Sequence, residues 1–313
     1  MHLLPWLVSA ACFAYLYTRL ERAAGSERSV AAYLYDAFAA VDWGRWVVLM
    51  FVYSVFYLLV DTAVLWRVVN WFNARVRFAE LLPVRASAYI LSILNEQVGK
   101  GAIALYLNRK YGVPAWESGS SMLFIMVCEL FYLIFWATVG VLLFGGTLPA
   151  ELAVFRAVPW VAAAAGVVGA FGIWAFRSSR FEGAAWRQRP LLRAFREARP
   201  WQYAAVMLLR SPSLLAAVAV YAVAANLFGV RIGFGEMLSY LPLVIFGTLV
   251  PGPFRAVAVT MWPTLFPEHA AAMTIFGFVQ HNCFMLFNAA IGLLFLRQTN
   301  RELFEATEAA RAA

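Results

Sequence analysis

Long uninterrupted apolar segments constrain the fold of this chain more than any other feature of its sequence. A helix needs about 20 mostly apolar residues to cross a bilayer. With 63% apolar and aromatic and 13% charged residues in 313, the chain carries more apolar surface than a water-soluble core of this length can bury. The sequence therefore predicts an all-α polytopic membrane protein and excludes a soluble enzyme. Six segments are the predicted transmembrane helices: Leu3–Leu20, Trp46–Phe72, Leu123–Phe144, Phe155–Phe176, Tyr203–Phe228 and Ala271–Phe295.

Two further apolar segments are interrupted near their middle. Phe78–Leu107 is broken by polar and glycine residues, and Phe234–Phe266 is broken by a proline-rich stretch that ends in Arg255. Proline and glycine weaken a helix, and irregular backbone is tolerated at membrane depth only inside protein or beside a wet cavity. Both segments are therefore predicted to be re-entrant helical hairpins. The residues predicted to form the breaks are Gly99, Gly101, Pro251, Gly252 and Pro253.

The order of these segments repeats along the chain. A span, an interrupted segment and a span occur in residues 45–145 and again in 202–297. An odd number of crossings separates the two halves, which gives them opposite orientations. Inverted repeats with broken helices at corresponding positions are typical of transporters with a site near the midplane, and a duplication kept only for folding is the alternative. The other parts of this single membrane domain (1–313) are an N-terminal helix with an interfacial segment (1–44), a connecting helix with a basic loop (146–201) and a tail (298–313).

The distribution of arginine predicts the orientation. The chain has a formal net charge of +8, and residues 177–199 hold seven arginines against two acidic residues. Loops rich in arginine stay in the cytoplasm, which places both termini there and indicates a bacterial inner membrane. No basic tail stands apart from the apolar segments, so nucleic acid is not an expected partner.

One region has the pattern of a known family. Within Leu94–Phe144, a glycine-flanked lysine (Gly99-Lys100-Gly101) precedes a basic turn containing Arg109 and a span bearing Glu129. This pattern resembles the flippase-like family typified by the transmembrane domain of lysylphosphatidylglycerol synthases. In the second half, residues 251–255 correspond to the family's glycine-rich break but lack its later glycine and glutamate. His281 stands near a position where the family commonly has an arginine. The resemblance covers about residues 45–297 and implies a lipid-translocating or lipid-handling domain.

Charged residues near the two breaks are candidates for binding substrate. Glu96 and Lys100 lie one helical turn apart and form either a structural pair or a hairpin tip that presents Lys100 to a lipid phosphate. Backbone N–H groups freed at the glycines favour phosphate binding. Arg255 offers a bidentate fork at the second tip or extends to the interface.

Ionisable residues inside the spans form two further candidate pairs. Glu129 and His281 occupy matching places in the third element of each half. They either link the halves and relay protons or form a satisfied structural pair. Asp61 lies within a span, and Arg210 is its expected partner in a structural ion pair.

The predicted function is lipid flippase- or scramblase-like transport of an anionic phospholipid, glycolipid or polyprenyl-phosphate lipid. The predicted substrate-binding residues are Glu96, Lys100, Arg109, Glu129, Arg255 and His281. An accessory subunit that presents lipid to a membrane enzyme, an intramembrane transferase acting on a lipid carrier and a small-solute transporter are the alternatives. The three histidines show no metal-ligand spacing, so neither a metal nor another cofactor is expected. Expected partners are anionic lipids, and a membrane enzyme or a second copy of the chain is possible.

Overall fold

A computed structural model of the chain describes residues 4–25, 28–94, 96–144, 155–249 and 255–312. These residues form twelve α-helices and no strand. The helices are α1 (Leu4–Ala24), α2 (Val30–Ala39), α3 (Trp43–Phe72), α4 (Phe78–Leu94), α5 (Glu96–Tyr111), α6 (Ala115–Phe144), α7 (Val158–Arg177), α8 (Arg193–Glu197), α9 (Pro200–Leu227), α10 (Phe234–Leu249), α11 (Ala256–Leu265) and α12 (Ala270–Ala312).

Five helical segments in the described residues are long and apolar enough to cross a membrane. This finding confirms the predicted class, an all-helical membrane protein. Helix α1 coincides with the predicted span Leu3–Leu20 but is not among the five, and its last turns carry Arg19, Glu21 and Arg22. The five segments are Trp43–Phe72, Ala115–Phe144, Phe155–Arg177, Pro200–Leu227 and Pro267–Arg301.

Helices α4 and α5 form the first helical hairpin and pack against each other. Helix α4 ends at Leu94 and α5 begins at Glu96, so the predicted break residues Gly99 and Gly101 lie inside α5. Gly99 is buried, and a Cβ atom there would lie 2.8 Å from the carbonyl oxygen of Ala88. The absence of a side chain at Gly99 therefore permits close packing of α5 on α4.

Helices α10 and α11 form the second helical hairpin and also pack against each other. The predicted break residues Pro251, Gly252 and Pro253 lie outside the described residues. Arg255 immediately precedes α11 with φ 50° and ψ 41°, a left-handed conformation that side chains other than glycine seldom adopt. The second hairpin is also contacted by α1, where Nη1 of Arg19 donates a hydrogen bond to the carbonyl oxygen of Pro263 at 3.2 Å.

The chain divides into two compact units, each built from three separate segments. The first unit consists of Met1–Tyr53, Leu133–Ala162 and Leu214–Phe284, and the second of Ser54–Tyr132, Ala163–Ser213 and Met285–Ala313. The hairpin α10–α11 belongs to the first unit and α4–α5 to the second. Five helices, α3, α6, α7, α9 and α12, each contribute a part to both units.

An aromatic cluster forms part of the core of the second unit. Phe124 of α6 lies 5.2 Å from Phe72 of α3, 5.5 Å from Phe195 of α8 and 4.7 Å from Tyr203 of α9, measured between ring centroids. The Oγ atom of Ser120 accepts a hydrogen bond from the backbone N–H of Ala194 at 2.8 Å. These contacts hold the short helix α8, which lies in the basic loop, against the membrane helices of this unit.

Candidate functional site

Two pairs of polar side chains at helical spacing begin the candidate site in the second unit. Tyr57 and Asp61 lie one turn apart on α3, and Arg85 and Tyr89 lie one turn apart on α4. Residues four apart share one face of a helix. Each pair therefore projects to a common side of its helix, within a segment that is otherwise apolar.

Asp61 is the centre of the site because it accepts hydrogen bonds from three side chains. Nε of Arg85 donates to Oδ2 of Asp61, and Nη1 of Arg210 donates to Oδ1. The hydroxyl of Tyr89 donates to the same Oδ2 atom at 2.5 Å. Both oxygens of this buried carboxylate are thus occupied, and both of its ionic partners come from other helices.

Arg210 of α9 extends the site to α6. Its Nη2 atom lies 2.6 Å from Oε1 of Glu129 and donates to the hydroxyl of Tyr57 at 3.1 Å. The guanidinium carbon of Arg210 stands 5.4 Å from the centroid of the Tyr57 ring, a cation–π arrangement. Both terminal nitrogens of Arg210 are therefore bonded.

The four charged residues form a chain of alternating sign, Arg85–Asp61–Arg210–Glu129, which we call the ion network. Its formal charge sums to zero. The inner members Asp61 and Arg210 are 6% and 9% exposed, whereas the end members Arg85 and Glu129 are 14% and 24% exposed. A lone charge at the centre of a membrane helix costs about 2.5–3.5 kcal/mol on insertion scales. Pairing offsets that cost, and both ends of the network remain accessible.

The prediction of an Asp61–Arg210 ion pair is confirmed as a contact, and Glu129 belongs to the same network. Arg85, Tyr57 and Tyr89 were not predicted. The available signal was the four-residue spacing of each tyrosine and its charged neighbour inside an apolar segment.

His281 belongs to a separate polar cluster in the first unit. Its Nε2 atom accepts a hydrogen bond from Nε1 of Trp262 at 3.0 Å, and its side chain is buried. The neighbouring Gln280 accepts one from Nε1 of Trp46, also at 3.0 Å. Glu129 and His281 thus each have a partner within their own unit, which favours a packing role for His281.

The remaining predicted substrate-binding residues lie at or near the hairpins. Lys100 is half-buried in α5, Arg109 is exposed in its last turn, and each has an interaction partner. Arg255 is half-buried at the start of α11. The side chain of Glu96 lies outside the described residues.

A polar contact fixes the outer ends of the first hairpin. The hydroxyl of Tyr111 in α5 donates to Oε2 of Glu80 in α4 at 2.6 Å and holds the pKa of that carboxyl below its usual value. The same Oε2 atom accepts the backbone N–H of Arg77 at 3.2 Å. This contact ties the end of α5 to the beginning of α4.

No metal centre accompanies these sites: the described residues contain no group of three His, Cys, Asp or Glu side chains that could hold an ion. The fold and the ion network place the chain in the class of polytopic helical membrane proteins with a buried charge network. No protein family, no curated protein sequence and no solved structure matches the chain.

Proposed function

We propose that this chain is a flippase- or scramblase-like transporter that moves a phosphate-bearing lipid between the leaflets of a bacterial inner membrane. The observation that carries the proposal is the ion network within apolar helices. A charge network with accessible ends gives a polar headgroup binding partners inside the membrane, where it otherwise loses its hydration. Its substrate class comprises anionic phospholipids, glycolipids and polyprenyl phosphates.

The transport path rests on a proposed topology of six spans, including α1, and two re-entrant hairpins that enter from opposite leaflets. The helix order supports this topology, because α3, α4–α5, α6 and α9, α10–α11, α12 follow the same sequence of long and short elements. In both halves the hairpin shares a unit with the end of the preceding long helix and the start of the following one. The arginine-rich residues 177–199 favour cytoplasmic termini.

In the proposed mechanism, the acyl or prenyl chains stay in the bilayer while the headgroup binds to polar sites inside the protein. Lys100 and Arg255, near the two hairpin tips, attract the phosphate. The ion network provides a further polar site within the membrane helices. Arginine and lysine side chains suit this role because they remain charged and bind phosphate oxygens strongly.

Reconstitution of the purified full-length chain tests the proposal. Vesicles carry NBD-labelled phosphatidylglycerol in both leaflets, and dithionite bleaches only the outer pool. We expect the protein to accelerate bleaching of the inner pool relative to protein-free vesicles. Arg210→Gln should slow the exchange, whereas Arg199→Gln should not, because Arg199 is exposed just before α9.

Thermal unfolding of both variants verifies that they are folded, and Arg210→Lys, which keeps a charge for Asp61 and Glu129, replaces Arg210→Gln if the latter is not. The wild-type protein is tested with three labelled lipids, which are NBD-labelled phosphatidylglycerol, a glycolipid and a polyprenyl phosphate. If all three exchange at the protein-free rate, the proposed transport is contradicted.

A further inference from the structure

Arg85 uses fewer atoms of its guanidinium group for hydrogen bonds than Arg210 does. Only its Nε atom forms a hydrogen bond, to Asp61. The terminal nitrogens Nη1 and Nη2 have no hydrogen-bond partner among the residues that the structure describes. The side chain is 14% exposed. Four N–H donors therefore stand at the end of the ion network with no acceptor from the described part of the protein.

The surrounding residues hold this edge in a fixed orientation. Asp61 accepts a hydrogen bond from Nε on the opposite side of the guanidinium group, and Arg210 and Tyr89 also donate to Asp61 and hold it in place. The ring of Tyr89 lies 4.8 Å from the guanidinium carbon of Arg85. A bound carboxylate on one side and an aromatic ring beside the plane fix the group and reduce the entropy lost on binding a ligand.

We propose that the Nη1–Nη2 edge of Arg85 binds the phosphate of a lipid headgroup through two parallel hydrogen bonds. The planar fork of arginine matches two oxygens of a phosphate, which lysine does not. A phosphate diester supplies the acceptors that these donors lack inside the membrane. The choice of a lipid as the source of the phosphate rests on the proposed function.

The charge of the network defines which headgroups fit. The network is neutral, so a phosphate diester at Arg85 adds one negative charge. At the other end, Oε2 of Glu129 has no partner within the described part of the chain, and the side chain is 24% exposed. A headgroup that also carries an ammonium group can bind there and adds no net charge. The phosphate is the feature common to all headgroups that this site accepts.

Binding by the full-length protein in detergent tests this assignment. The ligands are dihexanoyl phosphatidylethanolamine, dihexanoyl phosphatidylglycerol, dihexanoylglycerol without a phosphate, and inorganic phosphate. The readout is the ligand-induced rise in Tm as a function of ligand concentration. We expect both phospholipids to raise the Tm and dihexanoylglycerol and inorganic phosphate not to raise it.

Substitutions at Arg85 assign the effect to this edge. Arg85→Gln should weaken phospholipid binding by about tenfold or more, and Arg85→Lys by less, because lysine keeps the charge and loses the fork. The matched control is Arg77→Gln, which removes an exposed arginine just before the same helix and should leave binding unchanged. If Arg85→Gln does not fold, Arg85→Lys serves as the test variant, because lysine keeps a positive charge beside Asp61.

The outcomes separate this inference from the proposed function. Wild-type affinity in the folded Arg85 variants would overturn the phosphate site even if lipid exchange occurs. Binding that depends on Arg85 without lipid exchange would overturn the transport proposal alone. An equal response to inorganic phosphate, lost in Arg85→Gln, would show that the site takes soluble phosphate and overturn the lipid source.

Discussion

Asp61 and Arg210, 149 positions apart in the chain, form an ion pair between α3 and α9 within the second unit. Both residues lie in segments long and apolar enough to cross a membrane. Because Asp61 also binds Arg85, its single carboxylate balances charges from two other helices. This arrangement makes Asp61 the residue on which the stability of the ion network depends most.

Replacing Asp61 by Asn should destabilise the protein strongly. The change removes the carboxylate shared by the half-buried Arg85 and the buried Arg210 and leaves these two cations with one anion, Glu129. Breaking a buried ion pair in this way costs about 3–5 kcal/mol. Unfolding of the purified protein in mixed micelles measures the loss.

The matched control is Asp36→Asn, which removes a carboxylate from an exposed ion pair with Arg28. An exposed pair contributes about 0–1 kcal/mol. Equal unfolding free energies for Asp61→Asn and Asp36→Asn would show that the network contributes little to the folded state.

Replacing Glu129 by Gln should change the headgroup preference. The substitution raises the formal charge of the ion network from zero to +1 and removes the acceptor for an ammonium group. Binding of phosphatidylglycerol should therefore strengthen relative to phosphatidylethanolamine. The affinity ratio of phosphatidylglycerol to phosphatidylethanolamine should rise by roughly tenfold or more, because one negative charge no longer repels the anionic lipid.

Competition between the two lipids for the protein in nanodiscs measures this ratio. Glu197→Gln serves as the control, since Glu197 lies in the basic loop and is bonded to Arg193. An unchanged affinity ratio in Glu129→Gln would show that Glu129 takes no part in headgroup recognition.

Two glycine-to-alanine substitutions should have opposite effects on stability. A Cβ atom at Gly277 would lie 2.5 Å from Cδ1 of the buried Trp262, whereas a Cβ at Gly166 meets no atom within 4 Å. Gly277→Ala should therefore destabilise the protein by about 1–3 kcal/mol through overpacking. Gly166→Ala should stabilise it by about 0.5–1 kcal/mol, because alanine favours a helix.

The two Tm values, measured in the same detergent, test this pair. A Tm for Gly277→Ala at or above the wild-type value would show that the packing of α12 on Trp262 is looser than described.

The contact between Glu80 and Tyr111 should make stability depend on pH. The pKa of Glu80 is lowered in the folded protein, chiefly by the Tyr111 hydroxyl. When the pKa of a carboxyl is lower in the folded than in the unfolded protein, the group stabilises the fold at a pH above its unfolded-state pKa, which is about 4.3 for glutamate. This stabilisation is lost as the pH falls through the folded-state pKa of Glu80.

Tyr111→Phe should therefore lower the Tm at pH 7, and the difference from wild type should shrink at acidic pH. The effect should be small, since Glu80 is partly exposed. Tyr17→Phe, an exposed tyrosine of α1, is the control. If the Tm difference between Tyr111→Phe and wild type stays constant with pH, it results from packing and not from the hydrogen bond to Glu80.

The helices were predictable because apolar length alone specifies a spanning segment. The predicted segment Trp46–Phe72 and the observed helix Trp43–Phe72 end at the same residue. The prediction began α6 at Leu123, whereas the helix begins at Ala115. The first turns of α6 contain three serines, which are too polar for a predicted span, yet all three are buried: Ser118, Ser120 and Ser121. Whether a serine faces water depends on packing, which the local sequence does not encode.

The ion network was predictable only in part. A lone carboxylate at Asp61 requires a partner in any membrane helix, so a pair with Arg210 followed from the sequence. Whether Arg85 joins the network depends on which face of α4 packs toward α3, and the local sequence does not encode that. The prediction also placed Gly99 in a break, because a glycine that packs against a neighbouring helix resembles in sequence a glycine that ends a helix.

The rate of lipid exchange between leaflets tests the central claim most directly. NBD-labelled phosphatidylglycerol in vesicles containing the wild-type protein, its Arg85→Gln variant or no protein is bleached with dithionite. We expect complete bleaching with wild-type protein, slower exchange with Arg85→Gln, and protection of about half of the label without protein. Protection of half of the label in all three preparations, with the protein shown to be folded and inserted, would contradict the proposed transport.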